Sequence, residues 1–387
     1  MTKTLKISVL AVSALAALTT VSAAQAQSFG GLPTVTPQAQ ADRARRAADS
    51  DRGRDTVRQE RPSYVVVDKG GPGGGQQRQS YDTIQSAVDA VAWGGVVVVM
   101  PGIYEENVVL SRSVSLQGDR GAGAGVEIIP ASGEAPCLSF LPTHFNDHAM
   151  VSNITFRPGA RLSKQTASIN GDINASVNGS MDAKPCVDVT GGIFTMVEST
   201  VDGAGAHRGD LVHISGGTAT LEKNQFTGGR RGISVSQNHA LWDRALLIDN
   251  IVSNNLVEGV HLEGVSSMLA TGNLINANGR GLVYNGRGAA TLVGNKILNN
   301  QSHGLLLDQD AHQVLVRLNQ IWSNKGDGIK VFSSGGLIED NDIDGNMGAE
   351  ISTVGHLDTV PTIINDVAAN KRSPKRGGWA INQPRAN

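Results

Sequence analysis

The chain has 387 residues, with 33 Lys and Arg against 35 Asp and Glu, for a net charge of −2. That near balance excludes the basic footprint by which nucleic-acid binders are recognised, so no nucleic acid is expected as a partner. Aromatic residues make up 4% and there are 47 glycines, a composition suited to many tight turns around an aliphatic core.

Residues 1–26 place Lys3 and Lys6 ahead of an apolar stretch, Ile7 to Val21, and an Ala24-Gln25-Ala26 cleavage signal. This pattern predicts a secretory signal peptide and a periplasmic or secreted protein. No second run of about 18 apolar residues follows, so no membrane insertion is expected once the signal is removed. Residues 27–62 interleave Arg and Asp without an apolar face and read as a disordered linker.

Order is expected over one domain, 63–370. "YVVVDKGG" (64–71) reads as a strand running into a Gly-rich loop at 70–79. "YDTIQSAVDAV" (81–91) spaces Ile84, Ala87, Val88 and Val91 as on a helix, and Asp82 with Gln85 resembles a capping box. A strand ending in a Pro-Gly turn follows at "GGVVVVMPGIY" (94–104). A short N-terminal helix would cover the open sheet edge of the first coil.

Cys137 ("APCLSF") and Cys186 ("KPCVDV") each open an alternating apolar run. If those runs stack as neighbouring strands, the Cα atoms come to about 5 Å, within disulfide range. Two buried thiols fit the sequence equally well.

From about residue 126 the chain repeats, with a polar insert at 161–183. Asn224, Asn250, Asn273, Asn295, Asn319 and Asn341 recur at a period of stacked supersecondary units; Ser199 holds the place one unit earlier, and Asn153 an earlier one. A second Asn (Asn254, Asn276, Asn299, Asn324) and then a Gly (Gly259, Gly281, Gly304, Gly328) follow in each unit. With two short strand signals per unit and no helical period, each unit reads as one coil of a parallel solenoid. Asn tolerates the left-handed conformation of a sharp turn, and its stacked amides can bond from coil to coil. The Gly eases the last corner. These positions are read as structural.

The entry segment "YDTIQSAVDAVAWGGVVVVMPGIYEENVVLSRSVSLQGD" and the N-x-I-x-x-N…G-I repeat in "NQIWSNKGDGI" and "NKILNNQSHGL" resemble the pectin-lyase-like right-handed parallel β-helix superfamily over roughly 64–365. The entry looks like that of pectinesterases, and the repeats like those of periplasmic carbohydrate-binding β-helix proteins. The resemblance implies an all-β, single-stranded right-handed parallel β-helix with a short N-terminal capping helix. The motifs that carry catalysis in pectinesterases, polygalacturonases and alginate epimerases have no counterpart here, and one fold hosts many chemistries.

Candidate chemistry therefore rests on the strand after each Gly. Alternation sends one outward column through Asp188, His213, Ser234, His261, Val283, Leu306 and Lys330, and a second through Ser236, Glu263, Asn285, Asp308 and Phe332. Such a face suits an extended polysaccharide, with Asp188 and His213 on hydroxyls, Phe332 under a ring, and Arg230 and Arg231 on a carboxylate. Glu263 and Asp308, two coils apart at about 9–10 Å, fit the separation of an inverting hydrolase's carboxyl groups. His261, His213 or Lys330 would serve as the base of a lyase. The bland alternative is a solvated strand face. His239, His303 and His312 sit near turns and read as surface residues, and Trp242 as packing. Asp340, Asp342 and Asp344 lack the enclosure that calcium needs, so no metal or cofactor is expected. Residues 371–387 read as a flexible basic tail.

The sequence thus predicts an exported, monomeric β-helix protein that binds a polysaccharide along its outer strand face, with binding alone ranked ahead of cleavage by a lyase or hydrolase because no family catalytic set is present. A non-catalytic structural or adhesive envelope protein is the alternative.

Overall fold

A computed structural model describes residues 61–69, 80–121, 125–133, 135–158, 183–205, 207–237, 243–265, 267–286, 288–308, 311, 313–332, 335–354 and 362–364. The predicted signal peptide, the linker but for its last two residues, the Gly-rich loop and the insert but for Ala183 lie outside them, as do His239, Trp242, His312 and the tail.

Short runs of alternating apolar residues bury one face and pair with the equivalent run of the next unit. The result is three parallel sheets, of 13, 10 and 10 strands among the described residues. The first runs from Ser80–Tyr81 to Thr362–Ile364, the second from Gly102–Glu105 to Asp342–Asp344, and the third from Val108–Leu110 to Ile351–Val354. Each coil crosses them in that order. Stacking begins before residue 126, because Tyr64–Val67, Val96–Val99 and Val114–Gly118 already belong to the first sheet. Like lies over like: Phe226, Val252, Ile275, Ile297, Ile321 and Ile343 are in register along the second sheet, and all are buried. Removing such columns from water supplies the main driving force for coil stacking.

Two buried asparagine ladders fasten the turns. At the first turn Asn295 Oδ1 accepts from Asn273 N and Nδ2 at 3.1 and 2.9 Å. Its Nδ2 donates to Ala270 O and Asn319 Oδ1, each at 2.9 Å. Ser199 stands in line, with its N–H donating to Asn224 Oδ1. The second ladder is Asn255, Asn278, Asn300, Asn324 and Asn346, so only Asn324 of the four residues expected there belongs to it. The left-handed conformation falls on the residue before each ladder position: Asp249, Asn254, Ala277, Asn299, Leu318, Ser323 and Asp340. The ladder asparagines are thus selected for their amides and not for φ, while Asn153, at φ 56°, is a turn residue that precedes the ladder position. Gly304 is needed for space. A Cβ there would lie 2.7 Å from Asn324 Nδ2 and 2.8 Å from Gly328 O.

The helix Ile84–Ala90 buries Ile84, Ala87 and Val88. Its N-cap is Thr83, whose side chain accepts from Ser86 N, in place of the expected Asp82 and Gln85 box. The Glu106 carboxylate accepts from the N–H groups of Ile84 and Gln85 at 2.9 and 3.0 Å. Gln85 is drawn away because its amide bonds the edge strand instead, accepting from Val109 N at 2.7 Å and donating to Val109 O at 3.2 Å.

Leu138–Phe140 and Val187–Val189 pair in register, which sets Cys137 beside Cys186 at a Cα separation of 4.9 Å. The two form a disulfide. The bond closes a loop across the insert, between residues 49 apart. Replacing both cysteines by alanine is expected to cost about 2–4 kcal/mol, mostly by freeing the unfolded chain. Denaturant melts of the two proteins check this, and equal midpoints would remove the disulfide from the stability account.

Candidate functional site

The third sheet carries the predicted outward columns in register. Asp188, His213, Ser234, His261, Val283, Leu306, Lys330 and Ser352 follow one another along it. Glu263 pairs with Asn285. Asp308 lies one step on, donating its N–H to Tyr284 O. The face is not uniformly solvated as a plain exposed strand would be: Ser234, Val283 and Leu306 are buried, at 1%, 3% and 7% exposure. Ser234 lies between His213 and His261, and Val283 between His261 and Leu306, so a short side chain in each case is flanked by longer ones.

A charged ladder runs beside this column, on the residue before each corner glycine: Arg231, Glu258, Arg280, His303 and Asp327. Arg231 and Arg280 flank Glu258 in the sheet register. Glu258 is 1% exposed. Its Oε2 takes Arg231 Nε at 2.5 Å and its Oε1 takes Arg280 Nη2 at 2.5 Å. Asp210 continues the alternation, 3.4 Å from Arg230 and 3.8 Å from Arg231. Arg230 and Arg231, predicted to take a ligand carboxylate, are therefore engaged by carboxylates of the chain itself. Asp188 and His213 are likewise paired with each other at 3.0 Å.

His261 packs against this ladder, with Nδ1 3.6 Å from Glu258 Oε2 and Nε2 3.8 Å from Glu263 Oε2. Burial holds its pKa below the ordinary imidazole value; Glu258 opposes the shift and Arg231 adds to it. Burial depresses His303 and His207 in the same direction. Unfolded imidazoles protonate near pH 6.5. Below that value the unfolded chain binds protons that the native one refuses. Stability is therefore flat above about pH 6.5 and falls as pH drops from there toward the depressed native values. Urea midpoints between about pH 7.5 and pH 5.5 should show this fall, and His261→Asn should lessen it. An unchanged slope in the variant would clear His261 of any part in it.

Further along the third sheet a groove of about 760 Å³ opens, within the usual range of ligand sites. Its lining includes Leu256, Arg280, His303, Leu306, Asp308, Lys330 and Phe332. The Lys330 ammonium lies 5.2 Å from the Phe332 ring centroid. Of the nine residues singled out from sequence, Asp308, Lys330 and Phe332 meet here. His261 and Glu263 do not line the groove, nor do Asp188, His213, Arg230 and Arg231. The sequence reading missed Glu258, Arg280 and His303, and it placed His303 on the open surface. The available signal was the residue ahead of each corner glycine, whose charge alternates from Arg231 to Arg280.

Among the described residues no cluster of metal-ligating side chains occurs, and no helix is long and apolar enough to cross a membrane.

The family model for a right handed beta helix region matches residues 210–367. No curated protein matches the sequence. Among solved structures, the A-module of the Azotobacter vinelandii mannuronan C-5 epimerase AlgE4 is 18% identical, with 70% of this chain and 76% of that one covered and a TM-score of 0.50. The periplasmic alginate epimerase AlgG is 12% identical over 76% of this chain and 74% of its own, at a TM-score of 0.37. A pectin methylesterase in complex with a hexasaccharide is 11% identical over 75% and 80%, at 0.35. At such identities the likeness is one of fold. Three parallel sheets of stacked coils, with the family match over residues 210–367, give the chain the fold of a right-handed parallel β-helix.

Proposed function

We propose that the protein is exported and acts as a monomer, binding a polysaccharide in the groove on its third sheet. The observation that carries this reading is the convergence of Arg280, His303, Asp308, Lys330 and Phe332 on one groove. Ionic and hydrogen-bonding groups beside an aromatic face are what a sugar chain requires, because its hydroxyls and its ring faces are separate surfaces. The printed activity of the A-module of AlgE4, a mannuronan C-5 epimerase, supports a carbohydrate ligand. The helix Ile84–Ala90 belongs to the same reading as the cap of the first coil, since Gln85 occupies the edge strand's hydrogen bonds.

Phe332→Ala is expected to weaken binding by about five- to tenfold through loss of ring contact. The check is titration with uronate-containing and neutral polysaccharides, alongside an assay for unsaturated products and new reducing ends. Cleavage would be assigned to Asp308 and Lys330 in the groove, with His261 and Glu263 farther back along the sheet. A wild-type protein that binds none of these polymers leaves the structural or adhesive role.

A further inference from the structure

The outer face of the first sheet differs in kind from that of the third. Where the third carries acids and imidazoles, Leu246, Leu269, Thr291, Leu315 and Leu337 follow one another in register along the first. Ile248 and Val293 stand in the next outward column, on either side of Thr271. All are half-buried, and the residues between them on each strand face the core. From Leu246 to Leu337 the stripe runs about 19 Å at the usual strand spacing. Among the described elements none lies over it, since the helix Ile84–Ala90 packs at the far end of the sheet, against Tyr64–Val67 and Val96–Val99. Parallel sheets are ordinarily covered on both faces, and a bare apolar stripe invites association.

The last strand of this sheet, Thr362–Ile364, pairs with Leu337 to Glu339. Residues 365–387, which lie outside the described residues, therefore leave the sheet at the end of the stripe. Charge changes sign along this part of the chain. From Val331 to Asn370 there is no Lys or Arg, whereas 371–387 holds Lys371, Arg372, Lys375, Arg376 and Arg385 and no acid. The last coil carries Glu339, Asp340, Asp342 and Asp344 where it passes from the first sheet to the second. Arg317 engages the first two. Asp342 and Asp344 are exposed, and their register neighbours Gln320 and Trp322 carry no charge. Negative charge thus remains beside the point from which the basic segment departs. Beyond the basic run, Gly377 and Gly378 lead into Trp379-Ala380-Ile381. In extended chain Trp379 and Ile381 point to one side. The chain from Ile364 to Trp379 reaches up to about 50 Å, well beyond the length of the stripe.

We propose that residues 371–387 cover the outer face of the first sheet. Lys371, Arg372, Lys375 and Arg376 pair with the acids around Asp342 and Asp344, and Trp379 and Ile381 lie on Leu269, Val293 and Leu315. The segment takes the place that a second copy of the chain would otherwise fill. This assignment is independent of what the third sheet binds.

Limited trypsin digestion of the full chain tests it, because the basic run supplies the cleavage sites and the rate follows the fraction of time the segment is open. Wild type should be cut there at least about tenfold more slowly than Trp379→Ala or Leu269→Lys. Asp342→Asn combined with Asp344→Asn should speed cutting by about threefold, and so should about 1 M salt on wild type, which screens exposed charges. Trp379 lies outside every described strand, so its variant carries the test if Leu269→Lys does not fold. Equal cutting of wild type and Trp379→Ala overturns the proposal. Protection that survives Leu269→Lys also overturns it, since the segment would then lie elsewhere. A wild-type dimer in light scattering, cut as fast as Trp379→Ala, overturns it too and assigns the face to a second copy.

Discussion

Glu258→Ala is expected to destabilise the protein by about 3–5 kcal/mol, the range for breaking a buried ion pair from one side. The carboxylate is sealed from water and holds Arg231 and Arg280 through separate oxygens. Removing it leaves two guanidinium groups on either side of a small void, with Asp210 the one acidic group near them that forms an ion pair among the described residues, at Arg231. Glu258→Gln keeps the volume and one good acceptor, so its cost should be smaller. Urea unfolding of the three proteins reads the series. A loss below about 1 kcal/mol for the alanine variant would mean that water reaches the site and the ladder is ornamental. The same variant should also disturb the groove, because Arg280 loses the contact that aims it.

Asn295→Ala should cost about 3 kcal/mol or more. The deleted amide serves four hydrogen bonds, and its loss strands the buried N–H of Asn273 and the carbonyl of Ala270. Each buried group left without a partner costs about 1–3 kcal/mol. The neighbours cannot compensate, since Asn273 and Asn319 are already engaged on their far sides by Asn250 and Asn341. Asn299→Ala is the natural control. That residue is exposed and in the left-handed region at φ 54°, so its replacement costs the preference of Asn for that conformation and one exposed hydrogen bond, from Nδ2 to Asn276 Oδ1 at 3.1 Å, together about 1–2 kcal/mol. Comparable losses in thermal melts of the two variants would mean that the ladder bonds are no stronger than a turn preference.

The contrast between Asn295 and Asn299 shows how far a repeat can be read. Spacing alone located the coils from about residue 126 on, because a period of stacked units leaves the same residue type at the same turn, and it missed the earlier ones, which carry no such Asn. It did not separate a ladder amide from the left-handed residue beside it, since Asn is favoured at both for different reasons. The outward columns were legible for a related cause: alternation along a strand is local, and parallel stacking preserves it from coil to coil. Cys137 and Cys186 were legible only as a conditional, because spacing showed that they could meet but not that they did.

By itself, then, the sequence determined the period, the apolar columns, and which side chains leave the third sheet outward. Those are properties of neighbours along the chain, repeated. Only the tertiary structure decided which outward groups remain available. Arg231 and Glu258 are 27 residues apart, and whether their charges neutralise each other or meet a ligand depends on coil register and burial. The same holds for His303, whose proton position is set by the backbone of Asp327 one coil later. Charge and tautomer are decided by contacts across coils, and no window of sequence contains both partners.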